Sequence, residues 1–185
     1  MWDIIGYIEN SNDYSLYLES SVLLTCLQKD IIVGTLLGDS SLERDKPTHN
    51  TRIRFDQSYP NHKSYLESLY VIFANLCGTP PRVHTRKPDG KIYQTIAFKT
   101  LRHIPLNYYY DLFYIYDNNG KRRKIVPNNI TELLIPCALA YWIIDDGGIN
   151  TYNATILNTD SFTLEEVELL QKALERSMNS KSRET

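Results

Sequence analysis

IIVGTLLGD at 31–39 and ALAYWIIDDGG at 138–148 are the two stretches that decide how this chain is read. Each is an apolar run of helical length that stops at acidic residues beside glycine. In the first, Gly34 and Gly38 stand four apart and share one helix face, where missing side chains let another backbone approach closely. In the second, Ala138 and Ala140 offer a comparable surface of small residues. If the two helices lie side by side, Asp39 and either Asp145 or Asp146 emerge together at their common end. Carboxylates held that close repel unless a cation sits between them, and hard oxygen ligands completed by phosphate oxygens suit Mg²⁺. A site of that kind can hydrolyse a phosphodiester, because the metal activates a water and stabilises the leaving oxygen.

Outward from these stretches the chain reads as an α+β protein. The run 20–38 is almost continuously apolar, broken by Gln28, Lys29 and Asp30, so a helix is expected to start near Asp30 as its cap. At 52–58, Arg52, Arg54, Asp56 and Ser58 alternate with Ile53, Phe55 and Gln57, the period of a strand with one face in the core. A helix from Pro60 follows, with Leu66, Leu69, Tyr70, Phe73, Leu76 and Cys77 on one stripe, and Gly78 with Pro80-Pro81 stops it. RVHTR (82–86), the turn KPDG and KIYQTIAFK (91–99) read as a hairpin. Arg82, His84 and Arg86 line one face of it with Lys91, Tyr93, Thr95 and Lys99, and Ile92, Ile96 and Phe98 are expected to point inward. A helical stretch runs to 116, then DNNGKRRKIVPNN reads as a linker unable to support a core. Beyond it the order begins again: Pro136 opens a helix, a strand is expected near 155–157, and Thr163 with Glu166 forms a capping box for a further helix carrying Val167, Leu170 and Leu174. This is the mark of an internal duplication.

Net charge is −2, which by itself speaks against nucleic-acid binding, but the charge is segregated. Residues 1–30 carry five acids and one base, 31–125 eight acids and fifteen bases, and 126–185 nine acids and four bases. A basic middle section is an electrostatic footprint for phosphate. Cys26, Cys77 and Cys137 have no metal or redox spacing and read as reduced core residues. No run approaches the roughly 18–20 apolar residues that cross a bilayer, so no membrane partner is expected, and the acidic N-terminal segment lacks the basic flank of a signal peptide.

GTLLGD and LAYWIIDDGG resemble the two signature motifs of the LAGLIDADG homing endonucleases of the single-chain, two-motif type, and the resemblance runs from about residue 30 to 176. It implies a pseudo-twofold saddle: two halves of the order helix-strand-strand-helix-strand-strand-helix, motif helices at the central axis, antiparallel strands along DNA. The halves are expected at 30–116 and 131–176, joined by the linker 117–130, with an extension at 1–29 and a polar tail at 177–185. Carried over residue by residue, Asp39 and Asp146 match the metal-binding acids, with Asp145 one position early. The family's lysine near the scissile phosphates falls at Arg123 or Lys124. Arg52, Arg54, Arg82, His84, Arg86, Lys91 and Tyr93 are the candidate DNA contacts. The implied activity is Mg²⁺-dependent cleavage of double-stranded DNA by a monomer acting in a mitochondrion. An intron maturase binding RNA and an inactive remnant are the alternatives. No second hairpin matches 82–99 after the helix at 163–176, so the second half is expected to be incomplete, with contacts to one DNA half-site lost.

Overall fold

A computed structural model describes residues 23–179, so most of the expected N-terminal extension and the end of the polar tail lie outside the described residues. The first motif forms helix α1, Cys26–Leu37. Its cap is Thr25, not Asp30. The Thr25 hydroxyl accepts from the Gln28 N–H at 3.1 Å, and the Thr25 N–H donates to the Gln28 side chain at 3.0 Å. This reciprocal pair satisfies two N–H groups that a helix start leaves without partners. Gln28 is buried because its amide also donates to Ile72 O and Asn75 Oδ1, both at 2.9 Å. A polar break in the sequence is therefore a tie to the next helix rather than a boundary.

From α1 the chain runs through β1 (Ser41–Glu43), β2 (Arg52–Ser58), α2 (Lys63–Phe73, continued by a 3₁₀ turn), β3 (Arg82–Arg86), β4 (Tyr93–Lys99) and α3 (Pro105–Phe113). That is the expected order of the first half, although α2 begins three residues after Pro60. The sheet runs β1-β2-β4-β3, and every neighbouring pair is antiparallel. Alternation sorts its faces. Ile53, Phe55, Gln57, Ile96 and Phe98 are buried on one side, where Phe55 stacks on Phe98 (4.8 Å) and meets Phe73 of α2 (5.0 Å). On α2 and its 3₁₀ turn, Leu66, Leu69, Phe73 and Leu76 are buried as the stripe predicts, while Tyr70 and Cys77 are half-buried. Ile92 departs from expectation: it precedes β4 and is 64% exposed, because the turn at Pro88–Gly90 delays the strand to Tyr93.

The supposed linker has structure. The helix reading to 116 fails after Phe113, where the β-favouring Tyr114–Tyr116 forms β5 and pairs with β6 (Arg122–Lys124). Val126 then enters the core. After α4 (Ile130–Leu133) come α5 (Pro136–Asp146), β7 (Gly147–Ile149), β8 (Thr155–Leu157) and α6 (Leu164–Asn179), so helix-strand-strand-helix recurs, with the strand directly after the second motif paired to β8. Thr163 and Glu166 cap α6 reciprocally, and Leu170 and Ala173 are buried on it. The architecture is α+β with antiparallel sheets, and α1 and α5 share its most extensive helix contact. Among the described residues no helix is long and apolar enough to cross a membrane.

Candidate metal centre and nucleic-acid face

The glycines of α1 let α5 in. A Cβ built on Gly34 would lie 2.2 Å from Ala138 O and 3.0 Å from Trp142 N, and one on Gly38 would lie 2.5 Å from Asp145 Oδ2. Ala138 and Trp142 are fully buried in this contact, whereas Ala140, the second expected small residue, is exposed and faces away. Backbone approach of this kind fixes the relative height of the two helix ends, so the acids that follow them arrive together.

They arrive in different settings. Asp39 is exposed, while Asp145 is 5% exposed and spends both oxygens on protein donors. Its Oδ2 accepts from the Asp39 N–H at 2.7 Å, and its Oδ1 accepts from Gln57 Nε2 at 2.9 Å and the Tyr65 hydroxyl at 3.2 Å. Burial raises the Asp145 carboxyl to about 7 despite those donors. Although the residue is exposed, desolvation of its partly enclosed carboxyl also raises Asp39, with the charge of Asp146 adding to the shift and Lys124 and Gln57 opposing it. Asp146 turns its Oδ1 to Asn158 Nδ2 at 2.8 Å.

Gln57 went unrecognised in the sequence, where it reads only as an inward position of β2. It is buried, and its amide also reaches Asp39 Oδ2 at 3.4 Å, while its oxygen meets His62 Nδ1 at 2.8 Å. The available signal was a glutamine at the core parity of a strand, which must find partners or cost stability.

The two basic candidates of β6 part company. Lys124 Nζ donates to Gly38 O at 2.9 Å and Ser40 O at 2.8 Å, closing the carbonyl end of α1 beside the acids. Burial pulls its amine down to about 8, and the charges of Asp145, Asp39 and Asp146 work the other way. Arg123, on the opposite face of the strand, holds Glu166 of α6 with Nη1 to both oxygens (3.0 and 2.9 Å), so it is not brought to the acids. Among the described residues no three or more His, Cys, Asp or Glu side chains gather as a closed metal site. Asp39 and Asp146 together could hold a cation completed by water or phosphate oxygens, the donor set that suits Mg²⁺.

The uncovered face of the four-stranded sheet collects the other candidates. Register places Glu43 opposite Arg52, Arg54 opposite Lys99, His84 opposite Thr95 and Arg86 opposite Tyr93. Arg52, Arg54, Arg82, His84 and Lys99 line a shared concavity of about 460 Å³ with Thr79 and Pro80. Lys91 stands in the exposed turn before β4 rather than in the strand. The four-stranded face is thus basic, antiparallel and open, and a ribbon of that geometry fits the major groove of B-form DNA.

Comparison with known proteins agrees with this geometry. The structure superposes on the homing endonuclease I-WcaI bound to its DNA recognition sequence with a TM-score of 0.77 at 26% identity, covering 96% of this chain and 78% of that one. The cytochrome b mRNA maturase bI2 of Debaryomyces hansenii is 40% identical over 83% of this chain and 57% of its own length. The DNA endonuclease I-ChuI of Chlamydomonas applanata is 35% identical over 84% of this chain and 75% of its own. The chain spans little more than half the length of the Debaryomyces hansenii maturase, and 37% of the Saccharomyces cerevisiae bI2 maturase. The model of the LAGLIDADG DNA endonuclease family matches residues 29–185, and this chain belongs to that family.

Proposed function

We propose that this chain is a site-specific endonuclease that hydrolyses double-stranded DNA, with Mg²⁺ held by Asp39 and Asp146. One observation carries the reading: two motif helices in backbone contact deliver one carboxylate each to a common end, next to an open basic sheet face. Mg²⁺ at that end would supply Lewis-acid activation of water and charge neutralisation at the phosphate. The chain's own groups do the rest. Asp145 fixes the Asp39 backbone through its N–H, and Gln57 spans Asp145 and Asp39, so the Asp39 carboxylate is oriented before substrate arrives. Lys124 places a cation beside the three acids and lowers their mutual repulsion. Arg52, Arg54, Arg82, His84, Arg86, Lys91 and Tyr93 supply phosphate and base contacts, arginine being suited to guanine O6 and N7. Asp145 acts here as a positioning residue, since both its oxygens are engaged. The I-WcaI likeness, a complex with DNA, supports a DNA partner. Action as a monomer in a mitochondrion completes the reading and fits relatives named for cytochrome b mRNA.

The test is cleavage of a plasmid library carrying randomised duplex inserts, with Mg²⁺, by the wild type and by Asp39→Asn and Asp146→Asn. Cutting by the wild type alone, with all three proteins folded, supports the reading. Cutting that survives both substitutions overturns the assignment of the acids. The maturase relatives favour a second reading, an RNA-binding splicing cofactor. It predicts no cutting by any of the three and intron-RNA binding that is indifferent to both substitutions.

A further inference from the structure

On the basic sheet face the cations are not equally free. Glu43 of β1 sits among three donors: Arg52 Nε at 2.8 Å, Arg52 Nη2 at 2.7 Å, and Lys99 Nζ at 3.0 Å from each carboxylate oxygen. Asp56 of β2 likewise holds the Arg54 guanidinium. All five side chains share the exposed face, and each is only about a quarter to a third exposed. At the far edge, on β3, Arg82 and Arg86 are exposed and form no ion pair among the described residues. Two carboxylates on a surface meant for phosphate look like a liability, since each subtracts from electrostatic attraction.

We infer that Glu43 and Asp56 are specificity-determining residues: they hold Arg52, Lys99 and Arg54 away from phosphates and fixed for base edges, and leave phosphate binding to the β3 arginines. This rests on the DNA-binding reading above. A lysine or arginine free to swing finds the nearest phosphate whatever the sequence, and such contacts carry no sequence information. A guanidinium already bonded at Nε and one Nη to a carboxylate keeps its other edge in a set direction, which bidentate base readout requires. The carboxylates also penalise a register in which their own oxygens would face phosphate, an element of rejection that selective recognition needs. General affinity is given up for discrimination.

The experiment uses the full chain without Mg²⁺ and a pool of randomised DNA duplexes, with Glu43→Gln and Asp56→Asn as separate variants. Glu67→Gln is the control: it removes the same charge from α2, where Glu67 pairs with Lys63 away from the sheet face. Unselected-pool affinity is measured against salt, and bound sequences are recovered after selection. For Glu43→Gln the log-log salt slope is expected to steepen by about 0.9 for each further phosphate neutralised, hence by up to about 2 units if Arg52 and Lys99 both swing. The sequences it selects should carry less information than those of the wild type. Asp56→Asn should do the same through Arg54 alone, and Glu67→Gln neither. Wild-type selectivity that both sheet variants retain in full, or a Glu67→Gln effect equal to theirs, overturns the inference. A wild type that binds the pool without preference also overturns it, because there is then no discrimination for the carboxylates to provide, whereas a folded wild type that does not bind the pool at all removes the DNA-binding reading itself, a separate result.

Discussion

Gly34→Ala tests the packing on which the site depends. In most helices an alanine for a glycine stabilises, by about 1 kcal/mol, through helix propensity. Here the added carbon would start 2.2 Å from Ala138 O and 3.0 Å from Trp142 N, both backbone atoms that no side-chain rotation can move. Ordinary contact begins near 3.4 Å, so α1 and α5 must separate by about an ångström. Overpacking of this kind costs about 1–3 kcal/mol. Because relief requires moving a whole helix, the upper end applies, and about 2 kcal/mol of destabilisation remains after the propensity gain. For a chain of this size that lowers Tm by roughly 4–8 °C. The same shift moves Asp39 from Asp146, and misplacement of about 1 Å can lower a catalysed rate on the order of 100-fold. Thermal unfolding by circular dichroism and plasmid cleavage are the assays, with Gly148→Ala as the reference, since nothing lies within 4 Å of its added carbon. A Gly34→Ala protein as stable as the wild type would refute the close approach of the motif helices.

The other expectations concern groups that hold the same region. Lys124→Met leaves Gly38 O and Ser40 O without their donor and should destabilise by about 1–3 kcal/mol, read as a lower Tm. Trp142 is fully buried, and its Nε1 has no partner among the described residues, so Trp142→Phe should cost less than about 1.5 kcal/mol while Trp142→Ala costs about 3–5 kcal/mol in urea unfolding. Burial opposes ionisation of Glu43, yet bonds from Lys99 and Arg52 outweigh it and hold its carboxyl below the usual glutamate range. A depressed folded pKa contributes stability above the unfolded value, near 4.5, and loses it as pH falls through the folded value. Glu43→Gln should therefore lower stability at neutral pH by less than about 1 kcal/mol, and the two unfolding curves should converge as the medium is acidified well below 4.5.

What the sequence showed was periodic. The parity of Ile53, Phe55 and Gln57 against Arg52, Arg54 and Asp56, the hairpin of 82–99 and the small residues at Gly34 and Gly38 each follow from a repeat of two or four, and the structure keeps them. What it hid was decided by single contacts between distant segments. Thr25 caps α1 inside a run whose first turn leaves Cys26 and Leu27 exposed, so hydrophobic periodicity starts late. Lys121–Lys124 reads as a solvated run of charge, and only its pairing with Tyr114–Tyr116 turns Lys124 inward and Arg123 outward. Asp145 and Asp146 are indistinguishable on paper. Which of the two is buried depends on how far α5 has turned when it reaches Gly38.

Gly38 and Asp145 each immediately precede the acid that their helix presents, so the two motifs place a hydrogen atom on one side of the helix contact and a carboxylate on the other. The carboxylate fills the space that Gly38 leaves, as the 2.5 Å separation from a Cβ there shows. Every side-chain donor it accepts, Gln57 and Tyr65, comes from the first half, as does the Asp39 N–H. Asp146 instead takes its donor, Asn158, from its own half. The two acids are therefore not equivalent. Asp39 is held by a network that spans both motifs and lies against Gln57 and Lys124, whereas Asp146 is held by its own ribbon. The Gly38 and Asp145 positions are thus one place where the two motifs depart from the exact symmetry of a homodimer, and under the proposed reading that difference gives the two acids different surroundings at the duplex.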